Sequence, residues 1–406
     1  MKVGESIQGR VESIAYWGSG IVRVDGLVVF VPGTCVGEEV TARVKKVKPR
    51  FAVAELVSID TGTPDRIEPV CRIPATGLRV PGCIYDHMRY EAELACKQQQ
   101  FREFLQHFVQ LKDADRFLLP PVPSPRELHY RNKIVMHVGT NGSKRTLGYR
   151  GDDNKTVIDM EACPLAIEPI NEWIGEYRAT LDLIALGTDI TFRWTAPDGV
   201  VSWLGKKDSP TRILKEETCI GTLEVSTEDL FQVNPGVGNL LIQEVMRQAK
   251  LVRPVCFVDA YCGVGVFALA AARDIDRVYG IEYAHSAVRQ ADRNAARLGV
   301  PVRFMAMDAL AGVSAIFASM KTMRGCCVLV DPPRCGLSLP MRRLLVQRRP
   351  EFIFYVSCAP DTLARDLARF VEVGHYRVRS AQLFDMFPRT AHFESLTILQ
   401  ATSDGA

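Results

Sequence analysis

The sequence has no run of about 18 consecutive apolar residues, which argues against a membrane-spanning helix. The first residues, Met1 to Ser6, contain no apolar stretch typical of a secretory signal, so we expect a cytoplasmic protein with no membrane partner. A large excess of one charge is also missing, since the formal net charge is only +3. This balance permits binding to nucleic acid without establishing it. With 406 residues, the chain is long enough for two or three domains.

Cysteine, in contrast, is abundant, with 12 residues in the chain. A disulfide framework is not expected in a protein without an export signal. The cysteines therefore indicate reduced thiols that serve packing, catalysis or metal binding.

Residues 1–60 show short alternating strands separated by turns, and Asp25-Gly26 is a hairpin signal. Five short strands in this length predict a small OB-like β-barrel. The predicted strands are Ser6 to Ile14, Gly20 to Val24, Leu27 to Val31, Glu39 to Lys46 and Ala52 to Ile59.

The fourth predicted strand runs into a basic segment, Arg43 to Arg50, in which cationic and apolar residues alternate. The alternation predicts a row of cations, including Lys45, Lys46 and Lys48, on one strand face. Two interpretations remain open: a solvated edge strand that resists aggregation, or a surface that contacts phosphates.

Residues 61–225 show a mixed pattern that predicts a central α+β domain. Tyr90 to Leu111 has helical spacing, with one predicted apolar side. Tyr130 to Val138 indicates a strand, and its Arg131 and Lys133 are candidate substrate-binding residues. The apolar side of the helix would be formed by Leu94, Phe101, Leu105 and Phe108.

From residue 253 onward, apolar strands alternate with helical segments, which is typical of a doubly wound, Rossmann-like α/β sheet. Seven predicted strands fit the sheet of class I methyltransferases. The strands are Cys256 to Asp259, Arg277 to Glu282, Arg303 to Met307, Cys326 to Asp331, Phe352 to Ser357, Arg377 to Phe384 and Ser395 to Ala401. The predicted helices are Ala268 to Arg273, Ser286 to Leu298 and Thr362 to Val373.

A glycine-rich turn follows the first of these strands, where Asp259 is followed by Gly263 and Gly265. Glu282 ends the next strand, at the place where an acidic residue binds ribose hydroxyls in dinucleotide folds. A nicotinamide fold is the rival interpretation. Ala268 stands where that fold has its third glycine, which argues against it.

Asp308 at the end of the third strand has two open interpretations. It is a candidate contact for the adenine of a bound cofactor. It is equally suited to cap the helix that follows.

The predicted reacting centre lies at the carboxyl edge of the sheet, where open α/β sheets bind ligands. The loop Asp331 to Arg334 supplies a carboxylate, a cation and stiff prolines whose carbonyls, such as that of Pro332, are free to accept from a base. Cys335 and Cys358 compete as nucleophile, and Cys358 precedes a helix, which favours its thiolate. A thiolate that adds to carbon 6 of a pyrimidine activates carbon 5, and Glu394 is the candidate base.

Taken together, these motifs resemble those of the RNA 5-methyluridine methyltransferases across nearly the whole chain. The shared features are the glycine-rich turn, Glu282, Asp331 to Arg334, Ser357 to Pro360 with Thr362 to Asp366, and His392 to Glu394. The resemblance implies that S-adenosylmethionine is the cofactor, with Gln232 in Phe231-Gln232-Val233-Asn234 as a contact. It also implies that Cys358 is the nucleophile, Glu394 the base, and the N-terminal barrel an RNA-binding TRAM domain. Cys335 is the second candidate nucleophile.

One departure concerns the [4Fe-4S] cluster of many ribosomal-RNA members of that family. Cys71, Cys83 and Cys163 resemble three of its four ligands, but Val80 stands where the remaining cysteine would be. Because a cluster normally needs four thiolates, we do not expect an intact one.

These observations predict three domains: a TRAM domain at 1–60, a central domain at 61–225 and a catalytic domain at 226–406. The expected substrate is uridine in structured RNA, and ribosomal RNA is preferred because bacterial transfer-RNA members of the family usually lack the barrel. Transfer RNA, cytosine as the target base, and a non-catalytic RNA-binding factor remain alternatives. A monomer is consistent with the sequence, which does not indicate the oligomeric state.

Overall fold

A computed structural model describes residues 1–73, 76–109, 114–151, 153–205 and 212–402. Contacts divide the chain into two compact units, the first comprising Met1–Glu103 and Phe387–His392 and the second Phe104–Met386 and Phe393–Ala406. The predicted three-domain division is not tested by this grouping and stays a prediction. Among the described residues, no helix is long and apolar enough to cross a bilayer.

The first unit contains a closed five-stranded barrel, which confirms the predicted N-terminal fold. The Asp25-Gly26 turn adopts positive φ at both residues, 49° and 81°, as a tight hairpin with this sequence requires. Inward-facing residues such as Val11, Val22 and Val29 are fully buried. The strands are β1 (Ser6–Ile14), β2 (Ser19–Val24), β3 (Leu27–Pro32), β4 (Glu39–Val47) and β5 (Phe51–Thr61), in the order β1-β2-β3-β5-β4.

The cations predicted to line one face of the basic segment on β4 are exposed, and the strand is irregular at this point. The register against β5 shifts between Val44 and Lys46, which leaves Lys45 as an extra residue in a bulge. Lys45 and Lys46 are consequently both exposed, and Lys45 pairs with Glu55 at 2.6 Å.

The predicted central helix is present as α1 (Tyr90–Val109), but its buried side differs from the prediction. Phe101 and Leu105 are buried as expected, whereas Leu94 is only half-buried. The Phe108 side chain and Leu111 lie outside the described residues. In the first unit, α1 buries polar side chains instead. Glu93 accepts from Lys97 Nζ at 2.7 Å and from the Arg389 amide at 2.6 Å, and the three form a buried ionic network.

The second unit begins with a five-stranded sheet, in the order β10-β9-β6-β7-β8. Its strands are β6 (Lys133–Asn141), β7 (Lys144–Arg150), β8 (Val157–Asp159), β9 (Asp189–Thr195) and β10 (Gly199–Leu204), and α2 (Glu168–Ala179) lies between β8 and β9 in sequence. A two-stranded sheet of β11 (Ile213–Thr218) and β12 (Gly221–Ser226) follows.

The main sheet of the second unit has seven strands in the order β15-β14-β13-β16-β17-β19-β18, which confirms the class I methyltransferase architecture. The first five strands in this order are parallel, and β19 runs antiparallel between β17 and β18. The strands are β13 (Cys256–Ala260), β14 (Val278–Glu282), β15 (Arg303–Ala306), β16 (Cys326–Val330), β17 (Phe352–Ser357), β18 (Tyr376–Phe384) and β19 (Glu394–Ala401).

The described helices of the second unit include four that the sequence patterns did not predict. These are α2, α3 (Pro235–Val252), α6 (Ala309–Ala318) and α7 (Leu339–Arg348). The predicted helices are α4 (Val266–Ala271), α5 (His285–Leu298) and α8 (Pro360–Glu372), each displaced by one or two residues from its expected start.

Candidate active site

The glycine-rich turn after β13 is closed on one side and open on the other. A Cβ added to Gly265, where φ is 88°, would lie 2.6 Å from Phe304 Cζ, so only glycine fits there. A Cβ added to Gly263 would meet no atom within 4 Å. The turn therefore presents its backbone at Gly263 to open space, as a turn that receives a ligand must. Tyr261 also has a positive φ, 69°, which the sequence did not indicate.

Asp259 lies beneath this turn and is fully buried. Its Oδ2 accepts a hydrogen bond from the Ala268 amide at 2.9 Å, which ties β13 to the first turn of α4. Burial raises the pKa of this carboxyl well above its ordinary value. Asp259 thus shapes the turn, and its predicted contact with the cofactor stays a prediction.

Glu282 ends β14 beside the same turn. Its Oε2 accepts from the Gly263 amide at 3.1 Å, and its Oε1 accepts from the Ala284 amide at 2.9 Å. Two backbone amides thereby fix the carboxylate, and each oxygen retains acceptor capacity for a further donor. This geometry suits the predicted role of accepting from ribose hydroxyls.

The two remaining cofactor candidates have different surroundings. Asp308 accepts from the Ala311 amide at 3.1 Å, which confirms the capping interpretation, and the adenine contact stays a prediction. Gln232 is half-buried just before α3 and makes no hydrogen bond to any described residue. Its amide is available to a ligand. Asn234 caps α3 through the Val237 amide and donates to Ser124 Oγ at 3.0 Å.

Helix α8 holds the loop that follows Asp331, which explains the motif Thr362 to Asp366. Buried Asp366 accepts from the Leu337 amide and from the Tyr355 hydroxyl, both at 2.8 Å. Arg365 Nη2 donates to the Cys335 carbonyl at 2.9 Å, beside Gly336, where an added Cβ would lie 2.6 Å from that nitrogen. Asp366 is a positioning residue that the sequence motif contained without showing its function.

The two predicted catalytic residues adjoin the end of one antiparallel strand pair. Residues of β17 pair with residues of β19 up to Ser357 opposite Ser395, and Ser395 Oγ donates to the Ser357 carbonyl at 3.2 Å. Cys358 directly follows Ser357 in a bend, and Glu394, the first residue of β19, directly precedes Ser395. The two side chains are near enough for the Glu394 carboxyl to act on the pKa of the Cys358 thiol.

The electrostatics of this pair differ from the expectation that a helix N-terminus favours the thiolate. Burial, followed by the nearby carboxyls of Glu394 and Asp331, raises the pKa of the Cys358 thiol to about 11. Arg334 opposes this shift through its positive charge. Cys358 is thus a neutral thiol at rest, because burial and two carboxyls outweigh the start of α8. Its role as the nucleophile stays a prediction.

The carboxyls are themselves perturbed. Burial raises the pKa of Asp331 to about 6. Burial and the neighbouring Asp331 raise the pKa of Glu394 well above its ordinary value, while Arg334 lowers it. Glu394 Oε2 is buried and accepts no hydrogen bond from the described residues. Perturbed carboxyls beside a thiol are typical of a catalytic site.

The other predicted substrate-binding and nucleophilic residues have varied positions. Arg334 and Cys335 are exposed on the loop after β16, and Pro332 is buried. Lys133 is half-buried and lies 5.9 Å from the Trp203 ring centroid, and burial lowers its pKa. Arg131 is half-buried beside Tyr130. Their contacts with RNA stay predictions.

All 12 cysteines are free thiols, as expected. Cys71, Cys83 and Cys163 are buried, and Cys163 Sγ accepts from the Tyr149 hydroxyl at 3.2 Å. Val80 is buried between the first two along the chain. Within the described ranges, no three His, Cys, Asp or Glu side chains form a group that would hold a metal ion. This donor set does not fit a four-thiolate cluster.

Comparison with known proteins identifies the two functional regions. The family model described as tRNA (Uracil-5-)-methyltransferase matches residues 224–402. The TRAM domain model matches residues 2–57. Residues 224–402 are thus similar to the tRNA (uracil-5-)-methyltransferase family, and residues 2–57 are similar to TRAM domains. The chain is therefore an S-adenosylmethionine-dependent RNA methyltransferase with an N-terminal TRAM domain, as predicted.

Relatives of similar length match almost the whole chain. An uncharacterised RNA methyltransferase of Halalkalibacterium halodurans is 28% identical over 450 residues, covering 97% of this chain and 96% of the relative. One from Synechocystis is 28% identical and covers 98% and 96%.

A solved structure shows the same fold. The Pyrococcus abyssi tRNA (uracil-54, C5)-methyltransferase in complex with S-adenosyl-L-homocysteine gives a TM-score of 0.73 at 22% identity. The match covers 97% of this chain and 99% of that chain.

Proposed function

We propose that the protein transfers a methyl group to carbon 5 of a uridine in structured RNA through a covalent adduct between Cys358 and carbon 6. The observation that carries this proposal is that Cys358 and Glu394 adjoin the last residue pair of β17 and β19, close enough for the Glu394 carboxyl to raise the pKa of the Cys358 thiol. A thiol and a carboxyl that lie near each other can act on adjacent carbons of one pyrimidine ring. Cys335 has no such partner in the register of these strands.

The first step is addition of Cys358 to the base. The sulfur bonds to carbon 6, the electron pair of the carbon 5–carbon 6 double bond moves toward oxygen 4, and the thiol proton passes to water, to be regained by the sulfur when the adduct breaks. With a pKa of about 11, the thiol is a weak nucleophile at rest, so proton removal must accompany attack. Arg334, whose charge favours the thiolate, assists this step.

The bound cofactor supplies an electrophilic methyl group, which carbon 5 accepts. Carbon 5 then carries both the methyl group and its original proton. Glu394 removes that proton, the double bond re-forms, and the bond from carbon 6 to Cys358 breaks. One proton is released for each methyl group transferred. Because its pKa is raised, Glu394 is a stronger base than an exposed glutamate.

The residues around the turn fit S-adenosylmethionine, the cofactor that the resemblance implies. Gly263 faces open space, Glu282 is fixed with acceptor capacity to spare, and the Gln232 amide makes no hydrogen bond to a described residue. These groups would hold the adenosine and amino-acid portions of S-adenosylmethionine, with Asp259 and Gly265 shaping the turn.

We propose 23S ribosomal RNA as the substrate, because the chain combines the uridine-methylating domain with a TRAM barrel, an arrangement that resembles the ribosomal-RNA members of the family. Transfer RNA is the second candidate. It is supported by the Pyrococcus abyssi structure, which is that of a tRNA (uracil-54, C5)-methyltransferase and whose match covers 97% of this chain.

The test is methylation of total RNA from a strain that lacks the enzyme, with purified protein and labelled S-adenosylmethionine. Ribosomal and transfer RNA are then separated, and their nucleosides are analysed. We expect label in 5-methyluridine of 23S RNA. Label in transfer RNA alone would select the second candidate, and labelled 5-methylcytidine would overturn the choice of base. Tight RNA binding without methylation of any RNA would support a non-catalytic factor.

A further inference from the structure

The first unit carries a basic surface pocket that is separate from the residues assigned above to the catalytic site. It has a volume of about 480 Å³ and lies between the barrel and the segment that follows it. Four of its nine lining residues are cationic, and one, Glu55, is acidic. The cations are Lys45, Arg66, Arg72 and Arg79.

Two of these arginines face each other on a short hairpin. Arg72 and Arg79 form an antiparallel bridge, and the flanking bonds are Ile73 N to Leu78 O at 2.8 Å and Val80 N to Cys71 O at 2.9 Å. Directly opposed residues project to the same side, and two like charges there repel each other. The arrangement is stabilised only if an anion lies between or beside them.

One such anion is the fully buried carboxylate of Asp86. Arg72 Nε lies 3.2 Å from Asp86 Oδ2, and Arg79 Nε lies 3.2 Å from Asp86 Oδ1. A single carboxylate neutralises one of the two guanidinium groups, which leaves an excess positive charge at the pocket. Both arginines approach Asp86 through Nε. The terminal nitrogens of Arg79 make no hydrogen bond to a described residue and remain available to a second anion.

The other two cations are already matched. Arg66 binds Glu38 with both Nε and Nη2, at 2.5 and 2.8 Å, and Nη2 also donates to the Gly33 carbonyl. Lys45 pairs with Glu55 at the exposed rim. Arg66 is therefore held in place at the side of the pocket by its partners. The positive charge that no carboxylate balances comes from Arg72 and Arg79.

We propose that this pocket binds one phosphodiester group of the substrate RNA, with the terminal nitrogens of Arg79 and Arg72 as the donors. Guanidinium groups match phosphate oxygens in pairs, and a preformed ion pair with Asp86 reduces the conformational entropy lost on binding. The pocket adjoins β4 at Lys45. The exposed Lys46 and Lys48 therefore extend the cationic surface that would contact neighbouring phosphates of the RNA backbone. The inference rests on RNA being the substrate and extends the contact surface beyond the TRAM match at residues 2–57.

The experiment measures binding of a fluorescent RNA stem–loop by full-length wild type and Arg79→Gln between 50 and 300 mM salt (about the range in which phosphate contacts are resolved). We expect Arg79→Gln to weaken binding roughly three- to tenfold at low salt and to reduce the slope of log K against log salt by about one. Arg23→Gln is the matched control, because Arg23 is an exposed barrel arginine paired with Glu12 and does not line the pocket. The control should bind like wild type.

If Arg79→Gln does not fold, Arg79→Lys is the second variant. It keeps a positive charge beside the Asp86 carboxylate. It should retain the salt slope while losing affinity, because lysine lacks the paired donors. Unchanged affinity and slope in both variants would overturn the proposal. If Arg23→Gln weakened RNA binding as much as Arg79→Gln, the proposal would also be overturned.

Two further measurements separate this inference from the proposed function. Inorganic phosphate at constant ionic strength should compete only weakly with the RNA, and competition at low millimolar phosphate would indicate a small-anion site instead. In methylation assays, Arg79→Gln should raise KM for RNA with little change in kcat. If no RNA is methylated but Arg79→Gln still reduces the salt slope, the proposed function fails and the phosphate site stands.

Discussion

Cys358 and Glu394 each adjoin the last residue pair of strands β17 and β19, Ser357 and Ser395. Cys358 directly follows a strand that is parallel to β16, and Glu394 begins the antiparallel strand inserted beside it. The arrangement brings a thiol and a carboxyl from distant parts of the sequence to the same edge of the sheet, where open α/β sheets bind ligands. It accounts for a mechanism in which one group adds to carbon 6 and the other removes a proton from carbon 5.

Replacing the base should trap the reaction after methyl transfer. In Glu394→Gln, addition of Cys358 and methylation still occur, but the carbon 5 proton is not removed. We expect turnover to fall by at least about 10² to 10⁴-fold. A covalent protein–RNA species that survives denaturation should accumulate on a gel and disappear in Glu394→Gln/Cys358→Ala. Full turnover by Glu394→Gln would exclude Glu394 as the base.

The ionisation of Cys358 provides a test of its surroundings without RNA. Burial and the carboxyls of Glu394 and Asp331 disfavour the thiolate and raise the pKa of the Cys358 thiol to about 11. Alkylation of the Cys358 peptide by iodoacetamide, followed by mass spectrometry, should accelerate about tenfold per pH unit between pH 7 and 10.

The sign of each neighbour's effect can be checked in the same assay. Glu394→Gln removes a negative neighbour and should lower the pKa of Cys358, whereas Arg334→Gln removes a positive neighbour and should raise it. A plateau of the alkylation rate near neutral pH in the wild type would contradict this description of the site.

Asp366 should be required for both stability and activity, although it lies behind the reacting loop. Asp366→Asn weakens its ion pairs with Arg365 and Arg342 and disturbs its bonds to the Leu337 amide and the Tyr355 hydroxyl. We expect a loss of about 3–5 kcal/mol in the free energy of unfolding. Denaturant unfolding measures this, and kcat should fall as the loop shifts.

The matched control for Asp366 is Asp361→Asn on the same helix, because Asp361 is exposed in the first turn of α8. It should change stability by less than about 1 kcal/mol. Equal effects of the two substitutions would show that the contacts of Asp366 with the loop are unimportant.

The two glycines of the cofactor turn should respond differently to alanine. Gly265→Ala places a Cβ 2.6 Å from Phe304 and should destabilise the fold. Gly263→Ala meets no internal atom, so its main structural cost is the positive φ of 53°, about 1 kcal/mol. Calorimetric titration with S-adenosylmethionine should show weaker binding by folded Gly263→Ala. Wild-type affinity in that variant would mean that the turn does not face the cofactor there.

The sequence predicted the catalytic sheet well because its strands are short apolar segments, and functional residues of such a sheet follow the strand ends. Asp331 and Cys358 directly follow β16 and β17, Glu282 is the last residue of β14, and Asp259 lies one residue before the end of β13. The sequence patterns did not reveal some of the helices, for reasons that lie in the helices' own residues. Helix α6 is apolar on nearly every side, which gives no amphipathic period, although the Asn234-Pro235 cap was a usable signal for α3.

Other features depend on tertiary contacts that no local pattern records. The proximity of Cys358 to Glu394 can be inferred only when β19 is known to lie beside β17 in the sheet. The neutral state of Cys358 follows from burial and from carboxyls supplied by other segments. Helix α1 buries Glu93 and Lys97 because Arg389, far away in sequence, completes their ionic network.

The most direct test of the account is labelled methyl transfer to RNA by wild type, Cys358→Ala and Cys335→Ala, each checked for folding and followed by nucleoside analysis. The account predicts 5-methyluridine from wild type and Cys335→Ala, and none from Cys358→Ala. Methylation by Cys358→Ala together with its loss in Cys335→Ala would contradict the account and move the nucleophile to the loop after β16.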